Sequence, residues 1–472
     1  MISAAKQKII ILLVASILVL TGIAIILSQI PSTPPEDSEN VTPEPERPPW
    51  PSGPVVVVAS QTSVDEIPYS PDFVCDGQDD QKEIRAAFRA IPSQGGTVVL
   101  TDGTFYCTDS IDIPTNSTLV GRGPDMTVLN YLSAGSVRMN SGKDIRLSNV
   151  GITGKGSVYI STSDVDVEDV EVFHVDNSYI AAFMIYAANE VIKNVNFVNC
   201  RAVDVDRWGF VHSGEGKPNI VRDCTYTNCQ AINCGRYDQY YGVDHQYAEA
   251  WDVGFDIAES LQSADNISYV GCHAEGCWES GFHAEDAVRL TNIRLINCTS
   301  TDNAQKQKIG REEVDFGAGF LVNEGMYLEN CTSENNAVGF HCSRAEDSYL
   351  FNCRDIGSEK GFLMLTIGEK GLHLRSCATE GTGEPVYVWT GPTLNITLED
   401  MMIRSKTPCP TAGITVNALV RDPDRILVRD SVISGYHSGI VNRAENRGRV
   451  RVENVSVIRS EKNFINCNVI TI

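Results

Sequence analysis

A short unit, apolar-x-apolar-x followed by Asn, Asp, Ser or Gly and then by Cys or an apolar residue, returns along most of this chain. It occurs at Ile145–Val150, Val165–Val170, Val195–Cys200, Cys224–Cys229, Ile267–Cys272, Ile293–Cys298, Met326–Cys331, Ser348–Cys353, Leu372–Cys377, Ile396–Met401, Ile426–Ser431 and Val450–Val455. The closing residues of successive units lie 20 to 33 positions apart, with one gap of 43. A period of that length marks a solenoid, in which each turn of chain buries its apolar face only against the neighbouring turns. A second unit runs in phase with the first: Gly209-Phe210, Gly254-Phe255, Gly281-Phe282, Gly319-Phe320, Gly339-Phe340 and Gly361-Phe362. Alternation with period two makes both units strands. The chain is therefore expected to be all-β, a parallel β-helix solenoid of about 12 coils rather than a leucine-rich or helical repeat.

Cys200, Cys229, Cys272, Cys298, Cys331, Cys353 and Cys377 share one position of the repeat. In a solenoid that position is an inward stack of small hydrophobes, not a disulfide framework or a metal site. Asn199, Asn228, Asn297, Asn330 and Asn352 precede them and are expected to form a turn ladder of side-chain amides. Cys75 and Cys107 lie outside the repeat, where a disulfide and two free thiols are both open.

Ahead of the repeats, Val55 to Ala59 reads as a strand and Asp79 to Ile91 as a helix with Ile84, Ala87, Phe88 and Ile91 on one face and Asp80/Glu83 as a capping box. The phrase GGTVVLTDGTFYCTDSIDIPTNSTLVGRG, from Gly95 to Gly123, resembles the N-terminal cap and first coils of the right-handed parallel β-helix family, the pectin-lyase-like proteins. The resemblance implies a right-handed solenoid with a cap and first coils over 55–130 and repeats over 131–472. It also implies carbohydrate-active chemistry, chiefly lyases, hydrolases and epimerases acting on acidic polysaccharides. The polygalacturonase motifs are absent, so no residue role carries over from them.

The N-terminus has a different character. Ile9 to Ile30 is almost continuous in Ile, Leu, Val and Ala, carries no charge, and follows Lys6 and Lys8. A helix of that length spans a bilayer core, and the two lysines place residues 1–8 inside and everything after residue 30 outside. Residues 31–54 hold nine prolines among Glu36, Asp37, Glu39, Glu44 and Glu46, a composition that makes an extended linker. The expected arrangement is a single-pass, membrane-anchored protein on the extracellular face, with a cleaved signal peptide as the alternative. With 38 Lys+Arg against 61 Asp+Glu, 38 − 61 gives −23, which argues against a nucleic-acid partner and leaves the oligomeric state open.

Function must come from the outward face. If each Phe of the Gly-Phe strands points inward, the next residue points outward, giving the column Val211, Asp256, His283, Leu321, His341 and Leu363. A further outward column holds Ala258, Glu285 and Asn323, and the position two before Gly holds Arg207, Asp252 and Glu279. Ionisable groups concentrate on the coils of Gly254 and Gly281. Adjacent coils lie about 4.8 Å apart, so Asp256 and His283 couple directly, while Asp256 and Glu285 are diagonal with backbones roughly 8 Å apart. His283, Asp256 and Glu285 are thus the candidate catalytic residues, and that carboxylate spacing is the one an inverting glycosidase uses to hold a water.

Two insertions flank these coils: Arg236 to Trp251, with Tyr241, Asp244 and His245, and Asp302 to Asp315, with Arg311. The substrate-binding candidates are Asp252, Glu279, His341, Asn323, Tyr241, Asp244, His245 and Arg311, with Tyr387 and Trp389 on a later strand. Tyr241-Gly242-Val243-Asp244-His245 is loosely similar to a strand of alginate epimerases. Calcium could be held by Asp252, Asp256, Glu279 and Glu285, but no outward Arg is expected beside them to act as a lyase base. The expected partner is an extracellular acidic polysaccharide that the protein cleaves as lyase or hydrolase; the alternative is a non-catalytic glycan-binding or structural envelope β-helix.

Overall fold

The computed structural model describes residues 53–63, 70–175, 181–235, 252–284, 288–305, 317–365, 367–389, 395–417, 425–443 and 450–470. Pro49–Ile472 forms a compact unit of its own. The apolar run 9–30 and the linker, apart from Gly53 and Pro54, lie outside the described residues. Among the described residues no helix is long and apolar enough to cross a membrane.

Every strand pairing is parallel, and each strand pairs with the equivalent strand one coil on, as in Ile267↔Ile293 and Ile293↔Met326. The chain is a right-handed parallel β-helix, wound in the sense that parallel crossovers adopt. The first strand column contains 16 strands, from Val55–Ala59 to Asn468–Ile470. It therefore extends beyond the twelve sequence units to Val55–Ala59, Gly96–Leu100 and Ser117–Val120 at one end and Asn468–Ile470 at the other.

Each central coil also has a third, short strand absent from the sequence expectation, such as His273–Glu275, Thr299–Thr301 and Thr332–Glu334. Its inward residue is small or polar (Ala231, Ala274, Ser300, Ser333, Asp355, Thr379), so it leaves no apolar alternation to read.

Side-chain stacks hold the coils in register. Phe183, Phe210, Phe255, Phe282, Phe320, Phe340 and Phe362 form one column of parallel rings with centroids 4.5 to 5.0 Å apart. Such pairs are worth about 0.5–1.5 kcal/mol each beyond burial. From Phe210 onward the residue before each Phe is a glycine, and the central coils require it sterically: a Cβ on Gly254 would lie 2.8 Å from the Gly281 carbonyl oxygen, and one on Gly281 2.8 Å from that of Gly319.

The seven repeat cysteines are buried free thiols. Cys298 and Cys331 donate to carbonyls of the preceding coil, Tyr269 and Leu295, each at 3.4 Å, and burial pushes the thiols of Cys272 and Cys353 up. The asparagine ladder adopts the left-handed conformation, φ 52 to 55°. It bonds along the axis: Asn330 Nδ2 donates to Asn297 Oδ1 at 3.1 Å, and Asn352 Nδ2 to Asn330 Oδ1 at 2.7 Å. Asn tolerates αL because its amide bonds locally.

At the N-terminal end the helix is Gln81–Ala90, with Ile84, Ala87 and Phe88 buried on the core. Asp80 is its N-cap but makes no capping-box bond; its carboxylate instead accepts from the backbone of Gly77 (2.9 Å) and Tyr106 (2.7 Å). Cys75 and Cys107 are both buried free thiols, so no disulfide joins them.

Candidate functional site

The Gly-Phe column positions the site. Register pairs Val211 with Asp256, Asp256 with His283, Leu321 with His341, and His341 with Leu363 and then Tyr387, as the alternation requires. Asp256 Oδ1 lies 3.6 Å from His283 Nδ1. Asp256 is 2% exposed, the His283 side chain 12%, and Asp256 Oδ1 has no hydrogen-bond partner among the described residues. The two groups face each other just beyond hydrogen-bonding distance, and they form an ion pair when the imidazole is protonated.

The expected single patch is two groups. Both Gly254 and Phe255 face the core, because a Cβ on Gly254 would meet Cys277 and Ala231. Asp252 therefore stands at the corner before the strand rather than on the face with Asp256. Four residues of chain separate them, at most about 13 Å if fully extended, and the bend at Gly254 interrupts the alternation between them. At that corner Asp252 Oδ1 accepts from Arg207 Nε at 2.6 Å, and the Arg207 guanidinium lies 4.1 Å from the Trp208 ring centroid. Glu279, also buried, donates its backbone N–H to the Asp252 carbonyl at 3.0 Å.

Arg207 corrects the expectation that no arginine stands beside the acidic residues. Its signal was present two residues before Gly209, the position that holds Asp252 and Glu279 on later coils. Among the described residues, only Cys75, Asp80 and Glu83 bring three ligand atoms within 4.8 Å of one another. Asp252, Asp256 and Glu279 do not assemble the expected calcium cluster, because Arg207 already neutralises Asp252 and the strand separates it from Asp256.

Other candidates divide. His341 is buried in the column two coils from His283, between Leu321 and Leu363. Tyr387 is half-buried in the same column, and Trp389 is 53% exposed just beyond that strand. Asn323 is not an outward contact: its Nδ2 donates to the Ala284 carbonyl at 3.5 Å and its Oδ1 accepts from Glu324 N at 2.8 Å, closing a turn. Ala258 belongs to the core, since the strand ends at Asp256 and the chain bends inward. Glu285, Tyr241, Asp244, His245 and Arg311 lie outside the described residues.

Sequence reasoning also passed over His212, which is buried inside the solenoid. Its ring contacts the Ile257 carbonyl at 2.7 Å and the Tyr226 hydroxyl at 2.5 Å, and burial lowers its pKa to about 4. It is a neutral packing histidine.

No family model matches the chain. Among curated proteins it is similar to the pre-neck appendage proteins of Bacillus phages phi29 and PZA, each 22% identical over 293 residues. Those matches cover 58% of this chain and 29% of each relative, so the chain spans under a third of their length. Among solved structures it is similar to the A-module of the mannuronan C-5 epimerase AlgE4 of Azotobacter vinelandii, with 13% identity, 82% of this chain and 94% of that one covered, and a TM-score of 0.46. It is also similar to a GH87 α-1,3-glucanase catalytic domain, with 12% identity, 90% and 69% covered, and a TM-score of 0.45. No residue role is transferred from proteins so distant; the β-helix is defined by the strand register of this chain.

Proposed function

We propose that this protein is a cell-surface enzyme that cleaves an acidic polysaccharide at the Asp256–His283 pair, by proton abstraction rather than hydrolysis. The observation that carries the reading is the buried Asp256 carboxylate, with an oxygen lacking a hydrogen-bond partner among the described residues, facing His283 Nδ1 one coil on. A carboxylate on the Nδ1 side orients the imidazole and stabilises its protonated form, so Nε2 is the nitrogen that takes the substrate proton. In the β-elimination His283 removes the proton at C5 of a uronate. The C–H electron pair becomes the C4–C5 double bond, the C4–O glycosidic bond breaks, and the leaving oxygen takes a proton from solvent water. The apolar run 9–30 behind Lys6 and Lys8 supports placement outside the membrane.

The test incubates the unit Pro49–Ile472 with uronate-containing and neutral polysaccharides, with and without calcium, reading reducing ends together with ultraviolet absorbance of an unsaturated uronate. The expected result is both signals from a uronate polymer, reduced about 10²- to 10⁴-fold in His283→Gln with the fold intact. Reducing ends alone would replace elimination by hydrolysis. Full activity in His283→Gln would remove this centre, and binding without product would leave a non-catalytic glycan-binding surface.

A further inference from the structure

We propose that the first strand column carries a second, non-catalytic site, a groove along Tyr349, Phe351, His373 and Arg375 that binds a uronate-containing glycan. It lies on a different strand column from Asp256 and His283 and does not depend on the chemistry there. Register sets its walls. Tyr327, Tyr349, His373 and Thr397 follow one another on successive coils, and two residues further along each strand Phe351, Arg375 and Glu399 do the same. Between the two rows, over the buried Leu350 and Leu374, runs a groove of about 280 Å³.

Two features set this stretch apart from an ordinary solvated face. Tyr349 is 44% exposed and Phe351 37%, large outward rings that the core does not use. Tyr349 stacks on His373 with planes 10° from parallel, so the two rings make one wall. The second feature is a cation. Of the three arginines on the six strands from Met326–Glu329 to Val450–Glu453, Arg429 pairs with Glu399 and Arg451 with Glu453. The exposed Arg375 guanidinium has no hydrogen-bond or ion-pair partner among the described residues, although Glu399 is its register neighbour one coil on.

Charge and shape select the occupant. The chain carries −23, so an anion is repelled over most of the surface and is held where a cation is left unneutralised. A guanidinium fork takes a carboxylate through two parallel hydrogen bonds. Aromatic side chains offer apolar area to the C–H groups of a sugar ring, and the Tyr327 and Thr397 hydroxyls at the rim are placed to meet its hydroxyl groups. An acidic peptide fits less well. Met326–Glu329, Ser348–Phe351, Leu372–Arg375 and Ile396–Glu399 each pair on both sides, so no strand edge is open to a peptide backbone. A glycan held here stays tethered to the protein whether or not another stretch of it reaches Asp256 and His283.

The test runs the unit Pro49–Ile472 through native gels cast with polygalacturonate, alginate or a neutral glucan, in the His283→Gln background so that no polymer is cleaved. The expected result is retardation by an acidic polymer, with the dissociation constant raised about 3- to 10-fold in Tyr349→Ala and again in Arg375→Gln. Both side chains face solvent, so both variants fold. Cleavage is read separately in the protein that keeps His283: retardation without cleavage sinks the catalytic reading and leaves the groove, and cleavage with no effect of either substitution on retardation sinks the groove. No retardation by either acidic polymer, unchanged retardation in either variant, equal retardation by the neutral glucan, or displacement by polyglutamate as effective as by oligogalacturonate would each overturn the proposal.

Discussion

Two faces of the same coils meet solvent differently. On the first strand column from Val165–Val175 onward the outward side chains are exposed or half-buried: Tyr349 is 44% exposed and stacks on His373 at 5.0 Å, and Arg429 pairs with Glu399 at 2.9 Å. On the Gly-Phe column the outward Asp256, Leu321, His341 and Leu363 are all buried. Both faces are built on the same axial stacks, so the β-helix itself does not produce the difference. It follows the side chains each column carries, apolar Leu321 and Leu363 beside Asp256 and His341 on one, charged Arg429 and Glu399 on the other.

The contrast predicts where substitutions matter. The largest effect falls on the charge pair: Asp256→Asn lowers turnover on a cleaved polymer about 10²- to 10⁴-fold without melting the fold, whereas Glu399→Gln on the opposite face leaves turnover unchanged. Equal losses would erase the distinction. For stability, Phe282→Ala removes a ring from the middle of the inner stack and costs about 3–5 kcal/mol in urea unfolding. Tyr349→Ala, half in solvent, costs under about 1 kcal/mol.

A third comparison lies behind the glycines. Asp355 is completely buried, accepts from Thr382 Oγ1 at 2.6 Å, and burial raises its pKa from 3.8 to about 6. The folded state therefore holds a proton that the unfolded state has lost between those values, so stability falls as pH rises from about 4 to 6 and is flat above. Asp355→Asn abolishes that slope and gains up to about 3 kcal/mol at pH 8, as the amide oxygen can keep the Thr382 bond. A variant with the wild-type slope would place the buried charge elsewhere. The smallest effect belongs to the surface pair: Arg429→Ala leaves the melting temperature unchanged within error.

Much of this was legible in the residues, for a physical reason. Phe at every Gly-Phe site and Cys at the end of seven successive units declare a solenoid, because stacked coils demand like side chains at like positions. The Asp256–His283 pairing followed from the same register. The short third strand was not legible, since inward Ala and Ser at Ala274 and Ser300 carry no hydrophobic signal. Nor was the separation of Asp252 from Asp256, which depends on the bend that lets Gly254 and Phe255 both face inward.

The sequence by itself determined the class of fold, the axial stacks and which residues share a column, because each is a property of the repeat. The tertiary structure decided which outward residues are buried, that Arg207 claims Asp252, and that the helix Gln81–Ala90 packs on the first coils. Those facts depend on corners, neighbouring coils and chain ends, where a side chain's surroundings are set by residues distant in sequence.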